Sequence, residues 1–111
     1  MLKARSAKAK GTRLEKWVSG ELSSAGLRAR RQPGSGIYSS FPHDVEMDMP
    51  RLGRTVIECK ARKNGFATLE RWLGKADLLI IKHDRQDPTV MVPWAYFKQM
   101  VQALSEHHGK D

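Results

Sequence analysis

The stretch His43-Asp44-Val45-Glu46-Met47-Asp48-Met49, followed after Pro50-Arg51-Leu52-Gly53 by Arg54-Thr55-Val56-Ile57-Glu58-Cys59-Lys60-Ala61, governs how the rest of the chain is read. From Asp44 to Met49, charged and apolar side chains alternate without a fault. Asp44, Glu46 and Asp48 point one way and Val45, Met47 and Met49 the other, the pattern of a half-buried strand. Residues 50–53 form a turn and 54–61 return as a second strand, so a hairpin is predicted. On that second strand Ile57, Cys59 and Ala61 share a face, opposite Val56, Glu58 and Lys60. Asp44, Glu58 and Lys60 are thereby brought toward one another.

Upstream, Leu14, Trp17, Val18, Leu22 and Ala25 fall at the spacing of a helix with one buried stripe over 12–25, and Gly26 supplies its stop. Glu15 sits at the edge of that stripe, where it is either an ordinary surface acid or able to reach the sheet the helix covers. Residues 27–32 alternate as a short strand with Arg28 and Arg30 on one face. The loop that follows contains Pro33-Gly34-Ser35-Gly36, whose small residues suit either a plain connection or the close approach of a phosphate to backbone N–H groups.

Downstream, a helix is predicted over 67–75 from Leu69, Trp72 and Leu73. The run Asp77-Leu78-Leu79-Ile80-Ile81-Lys82 reads as a strand covered on both faces. A polar turn over 83–88, a short strand over 89–92 and a helix over 94–104 complete the chain, with a polar tail from Ser105. The order α-β-β-β-α-β-β-α predicts an α/β domain with one mixed sheet flanked by helices. A single domain is expected over 11–106, preceded by a flexible basic arm over 1–10 and followed by the tail at 107–111.

Twenty Lys plus Arg against twelve Asp plus Glu give 111 residues a formal charge of +8. Residues 1–35 hold nine of the bases and only Glu15 and Glu21 as acids, a balance of +7. This asymmetry predicts a surface for a phosphate-rich polyanion beside a separate acidic spot. A single cysteine, Cys59, excludes an internal disulfide, and no apolar run reaches a membrane span, so an intracellular setting without membrane contact is expected. No phosphate-binding G-x-x-x-x-G-K, H-E-x-x-H or paired zinc cysteines occur.

A carboxylate from each of two adjacent strands is the hard oxygen donor set that Mg²⁺ or Mn²⁺ prefers, and a cation there would relieve repulsion among the acids. Asp44 and Glu58 supply such a pair, and Lys60 points the same way as Glu58. By spacing alone, an exposed Glu–Lys ion pair accounts for the triplet at least as well. Cys59 faces away and reads as core packing. Among the histidines His43 adjoins Asp44, while His83, His107 and His108 fall in a turn and the tail. Trp72, Trp94, Tyr96 and Phe97 read as core or subunit contact.

Lys10-Gly11-x-x-x-Glu15 on the first helix, Gly34-Ser35-Gly36 in the loop, His43-Asp44-Val45 and Ile57-Glu58-Cys59-Lys60 together resemble the PD-(D/E)xK nuclease superfamily, and within it the archaeal-type Holliday-junction resolvases. The likeness spans residues 8 to about 82, in order. It departs from the pattern in having His43 where a proline is usual, in a long loop between Ser35 and Asp44, and in the extra acids Glu46 and Asp48. The resemblance implies a restriction-endonuclease-like fold with Asp44 and Glu58 as ligands of Mg²⁺ or Mn²⁺, Lys60 as the catalytic lysine, Glu15 completing the site and Ser35 near the scissile phosphate. Asp44 is placed ahead of Asp48 as the first-strand ligand.

It further implies hydrolysis of four-way DNA junctions to 5′-phosphate and 3′-hydroxyl ends by a homodimer, with the apolar segment 66–81 as candidate interface. Lys10, Arg13, Arg28, Arg30, Arg31 and Arg62, with Ser35, are the expected DNA contacts. The same site on flap, nicked or duplex DNA, and a non-catalytic basic DNA-binding module, are the competing readings.

Overall fold

The structure, a computed structural model, describes residues 2–32 and 44–110, with side chains placed for 9–32 and 44–106. The loop containing Ser35 and the residue His43 lie outside the described residues, as do the side chains of His107 and His108. Helix α1 (Leu2–Ser24) runs back through the basic residues expected to form an arm, since Ala and Lys are strong helix formers. Its end closes as the sequence indicates. Gly26 takes φ 90°, its N–H donates to the Ser23 carbonyl at 3.0 Å, and the Leu27 N–H donates to the Leu22 carbonyl at 3.0 Å. These are the two bonds of a Schellman motif, and Leu22 and Leu27 are both buried across it.

Strands β1 (Ala29–Arg31), β2 (Val45–Met49) and β3 (Gly53–Ile57) form an antiparallel sheet in that order. The hairpin turn is held by the Leu52 N–H on the Met49 carbonyl at 3.0 Å, with Pro50 second and Arg51 third at φ 71°. After α2 (Ala67–Leu73) comes a second antiparallel pair, β4 (Leu79–Ile81) and β5 (Thr89–Met91), and then α3 (Trp94–Lys110).

The α/β class and the element order agree with the expectation. The single mixed sheet does not: the described strands form two separate antiparallel sheets. The strand predicted over 54–61 ends at Ile57, because the next N–H on that side, that of Cys59, is taken by the Asp44 side chain rather than by a backbone carbonyl. The run expected to be covered on both faces leaves Ile80 64% exposed. The tail from Ser105 continues α3 to Lys110, with no proline to stop it. Among the described residues no helix is long and apolar enough to cross a membrane.

One cluster forms the core. Val18 and Leu22 of α1, Leu27, Val45 and Met47 of β2, Cys59 and Val101 of α3 are buried, and Leu14, Ala29, Ile57, Trp94 and Phe97 pack around them. Trp17, read as part of the buried stripe, is 48% exposed and lies against Trp94 with ring centroids 5.0 Å apart. Lys98 adds a tie from α3 to Glu21 of α1 at 3.1 Å. Leu22 is completely buried, so Leu22→Ala is expected to lower the free energy of unfolding by about 2–5 kcal/mol, measured by urea denaturation. Leu52→Ala, at the bare hairpin tip, should change it by no more than about 0.5 kcal/mol.

Candidate functional site

Register decides which side chains can meet. Arg31 lies opposite Val45 and Ala29 opposite Met47, so Arg31 stands on the helix-covered face of the sheet. Arg30, one residue earlier, lies opposite Glu46 on the outer face. Consecutive arginines therefore serve different partners. The Arg31 Nε donates to Glu15 Oε1 at 2.8 Å, which joins α1 to β1. Arg31 was expected to contact DNA and Glu15 to complete an acidic site; here each is the other's partner.

On the outer face, Glu46 gathers three donors. Arg30 and Arg54 each approach its Oε1 at 3.1 Å, and Gln32 Nε2 donates to its Oε2 at 2.8 Å. The hydrogen bond from Arg54 is the main reason the Glu46 carboxyl ionises below its ordinary 4.5, assisted by the charges of Arg54 and Arg30 and opposed by partial burial. Arg54 and Gln32 were not singled out from sequence. Their signal is the strand register, which a single strand's alternation does not contain. Asp48 lies exposed on the same face, opposite Arg54. Glu46 and Asp48 thus both stand on the outer face.

Asp44 is held from both sides by backbone. Its N–H donates to the Ile57 carbonyl at 3.1 Å, and its carbonyl accepts from the Gln32 N–H at 2.9 Å. Its carboxylate Oδ2 accepts the Cys59 N–H at 2.8 Å. That bond reaches the central residue of Glu58-Cys59-Lys60 and sets the two motifs side by side. Glu58 and Lys60 lie on either side of buried Cys59, exposed, with Lys60 Nζ 3.9 Å from Glu58 Oε2. The Cys59 thiol reports on this neighbourhood. Burial first, then the negative charges of Asp44, Glu15 and Glu58, push it up from 9.0 to about 11.

No family model, curated protein or solved structure matches this chain.

Among the described residues no three His, Cys, Asp or Glu side chains stand together so as to hold a metal ion. Asp44, bonded to the Cys59 N–H, and Glu58, next to Cys59 in the chain, nevertheless carry donors that fit one class of ion. Mg²⁺ is commonly held by one or two carboxylates, with water and substrate phosphate completing its shell, and does not require an all-protein cage. Asp44 and Glu58 offer oxygen donors alone, and cationic Lys60 lies 3.9 Å from Glu58. Lys10 and Arg13 lie on α1, upstream of Glu15; Arg28 is exposed at the entry to β1; and Arg62 donates to the neighbouring Ala61 carbonyl at 3.0 Å.

The Glu46 carboxyl is held below 4.5 by its arginines, so its contribution to stability is present above that pH and is lost as pH falls through the folded value. Glu46→Gln is expected to lower the melting temperature at pH 7 and to flatten the acid limb below pH 4.5, seen by thermal melts across pH. At Cys59, Asp44→Asn and Glu58→Gln should each lower the thiol pKa while leaving it above 9.0, since burial is the larger cause. The pH dependence of alkylation by iodoacetamide measures this.

Proposed function

We propose that this chain is a metal-dependent, structure-selective DNA endonuclease of the PD-(D/E)xK type. It would resolve four-way junctions by phosphodiester hydrolysis, on a restriction-endonuclease-like version of the α/β fold. The observation that carries this reading is the hydrogen bond from the Cys59 N–H to Asp44 Oδ2 at 2.8 Å. It fastens the first-strand acid to the middle of the Glu-x-Lys triplet, which an unrelated surface ion pair would not require. The +8 charge, concentrated in the first third of the chain, supports a polyanionic substrate.

In this reading Asp44 and Glu58 hold Mg²⁺ or Mn²⁺, with Glu15 able to join them on release from Arg31. The ion supplies Lewis acidity and lowers the pKa of water. The Lys60 ammonium offsets negative charge that grows on the phosphoryl oxygens during attack. Water oxygen bonds to phosphorus as the bond to the 3′ oxygen breaks; with the water's protons redistributed, the products are a 5′-phosphate and a 3′-hydroxyl. Arg28, Arg30, Arg62, Lys10 and Arg13, with Ser35, contact the phosphate backbone. Such contacts position DNA without reading bases, so selectivity rests on the shape of a branched substrate.

The test compares a labelled four-way junction with flap, nicked and duplex DNA in the presence of Mg²⁺. Asp44→Asn, Glu58→Gln and Lys60→Ala should each slow junction cleavage by about 10²–10³-fold while leaving junction binding nearly unchanged. Unaltered cleavage in the first two variants would refute the site. Flap or duplex DNA cut as fast as the junction would transfer the activity to another substrate, and binding with no cleavage by the wild type would favour the non-catalytic module.

A further inference from the structure

Between α2 and the β4–β5 hairpin lies an open hollow of about 550 Å³, within the roughly 300–1,000 Å³ typical of small-ligand sites. Leu69 and Trp72, one turn apart on α2, form one wall. Ile81 and Thr89, direct partners across the hairpin, form the other. The rim is polar and comes from one short stretch, with Lys82, Gln86 and Asp87 at its edge. A tight turn sets that edge in place, closed by the Gln86 N–H on the His83 carbonyl at 3.1 Å, with Arg85 third at φ 61°.

Trp17, Trp94 and Phe97 lie against one another beside the core, whereas Trp72 meets no other ring among the described residues and is 59% exposed. A tryptophan face bared over an apolar wall suits a flat, ring-shaped occupant. No hydrogen bond or ion pair among the described residues engages the side chains of Gln86 and Asp87. The amide can therefore donate and accept, and the carboxylate accept, at the edge of such a ring. Lys82 on the rim and Arg85 in the turn add cations. A flat ring with a hydrogen-bonding edge, joined to anionic groups, describes a nucleobase in a nucleic acid chain. An apolar peptide or lipid would instead cover Lys82 and Asp87 and leave their charges unpaired. The formal charge of +8 favours a polyanion further. In a duplex the faces of each base are stacked and its edge is paired, so only an unpaired base can enter.

We propose that the hollow between α2 and the β4–β5 hairpin takes an unpaired base of single-stranded DNA, stacked on Trp72 with its pairing edge toward Gln86 and Asp87. This goes beyond the nuclease reading, in which the contacts are to phosphate and read no bases. The choice of DNA over RNA rests on that reading; the recess for a base does not. A fluorescein-labelled oligothymidylate is titrated with the full chain, without divalent cation, at about 0.15 M salt, where exposed charges are screened. The same sugar–phosphate chain without bases, and a duplex, are each expected to bind at least about 10-fold more weakly. Trp72→Ala should weaken oligothymidylate binding by about 10-fold and leave the baseless chain unchanged, and Trp72→Phe, which keeps a ring, should fall between. Equal binding of the baseless chain or of the duplex, or a Trp72→Ala variant that binds as the wild type does, overturns the assignment. Tighter binding of oligouridylate also overturns it, and gives the recess to RNA.

Should Trp72→Ala lose the circular dichroism of the folded chain, photocrosslinking of the wild type decides. A single strand carrying iodouracil is irradiated with the protein and the attached peptide is sequenced. Attachment within residues 69–89 supports the recess, and attachment confined to other segments overturns it. Junction cleavage with Mg²⁺ is scored separately. A junction cut by a chain that does not hold oligothymidylate removes the recess alone, and oligothymidylate held by a chain that cuts nothing removes the nuclease alone.

Discussion

Strand β2 must satisfy two opposed environments within five residues. Val45 and Met47 are essentially dry inside the cluster that α1 and α3 complete, while Glu46 and Asp48, one residue out of phase, stay with arginines or solvent. A slip of one residue in either ladder would send the carboxylates inward, at several kcal/mol for each unpaired buried charge. That penalty specifies the register on both sides of β2. Register in turn sends Arg30 to Glu46 and Arg31 to Glu15, and brings Asp44 level with the residues that follow Ile57.

The candidate site therefore lies at the end of the sheet, where the ladder gives way to a side-chain bond. Asp44 takes over the acceptor role for the Cys59 N–H, so the backbone after β3 stays in step although no strand pairing continues. Cys59 turns into the core and anchors the segment, leaving Glu58 and Lys60 exposed on either side. The Glu58–Lys60 pair at 3.9 Å between exposed side chains adds little stability, as expected for a solvated ion pair. What it contributes is a cation beside the Glu58 carboxylate.

Acids in this protein differ by what accompanies them. Glu46 is saturated by Arg30, Arg54 and Gln32 and serves to bind three segments of the outer face together. Glu15 is tied to Arg31 across the interface of α1 with β1. Asp44 is bonded to the Cys59 N–H, and Glu58 is the acid beside the lysine. The second half of the chain follows another logic, with balanced charge and apolar strands that lack a core of their own.

Alternation and helical spacing carried the local structure. The parity of 44–49, the stripe of Leu14, Val18 and Leu22 and the glycine stop at Gly26 were all legible, because each depends on backbone geometry within a few residues. The adjacency of Asp44 to Glu58-Cys59-Lys60 was legible for the same reason, as was the shared parity of Glu46 and Asp48. Which groups pair across elements was not. Glu15 with Arg31, Glu46 with Arg54, and the Cys59 N–H with Asp44 depend on strand register and on how α1 lies over the sheet. The apolar run at 78–81 announced that it needed cover, but a sequence pattern measures demand for burial and not its supply. Only the packed fold, with two separate sheets in place of one, left that demand unmet at Ile80 and Val90.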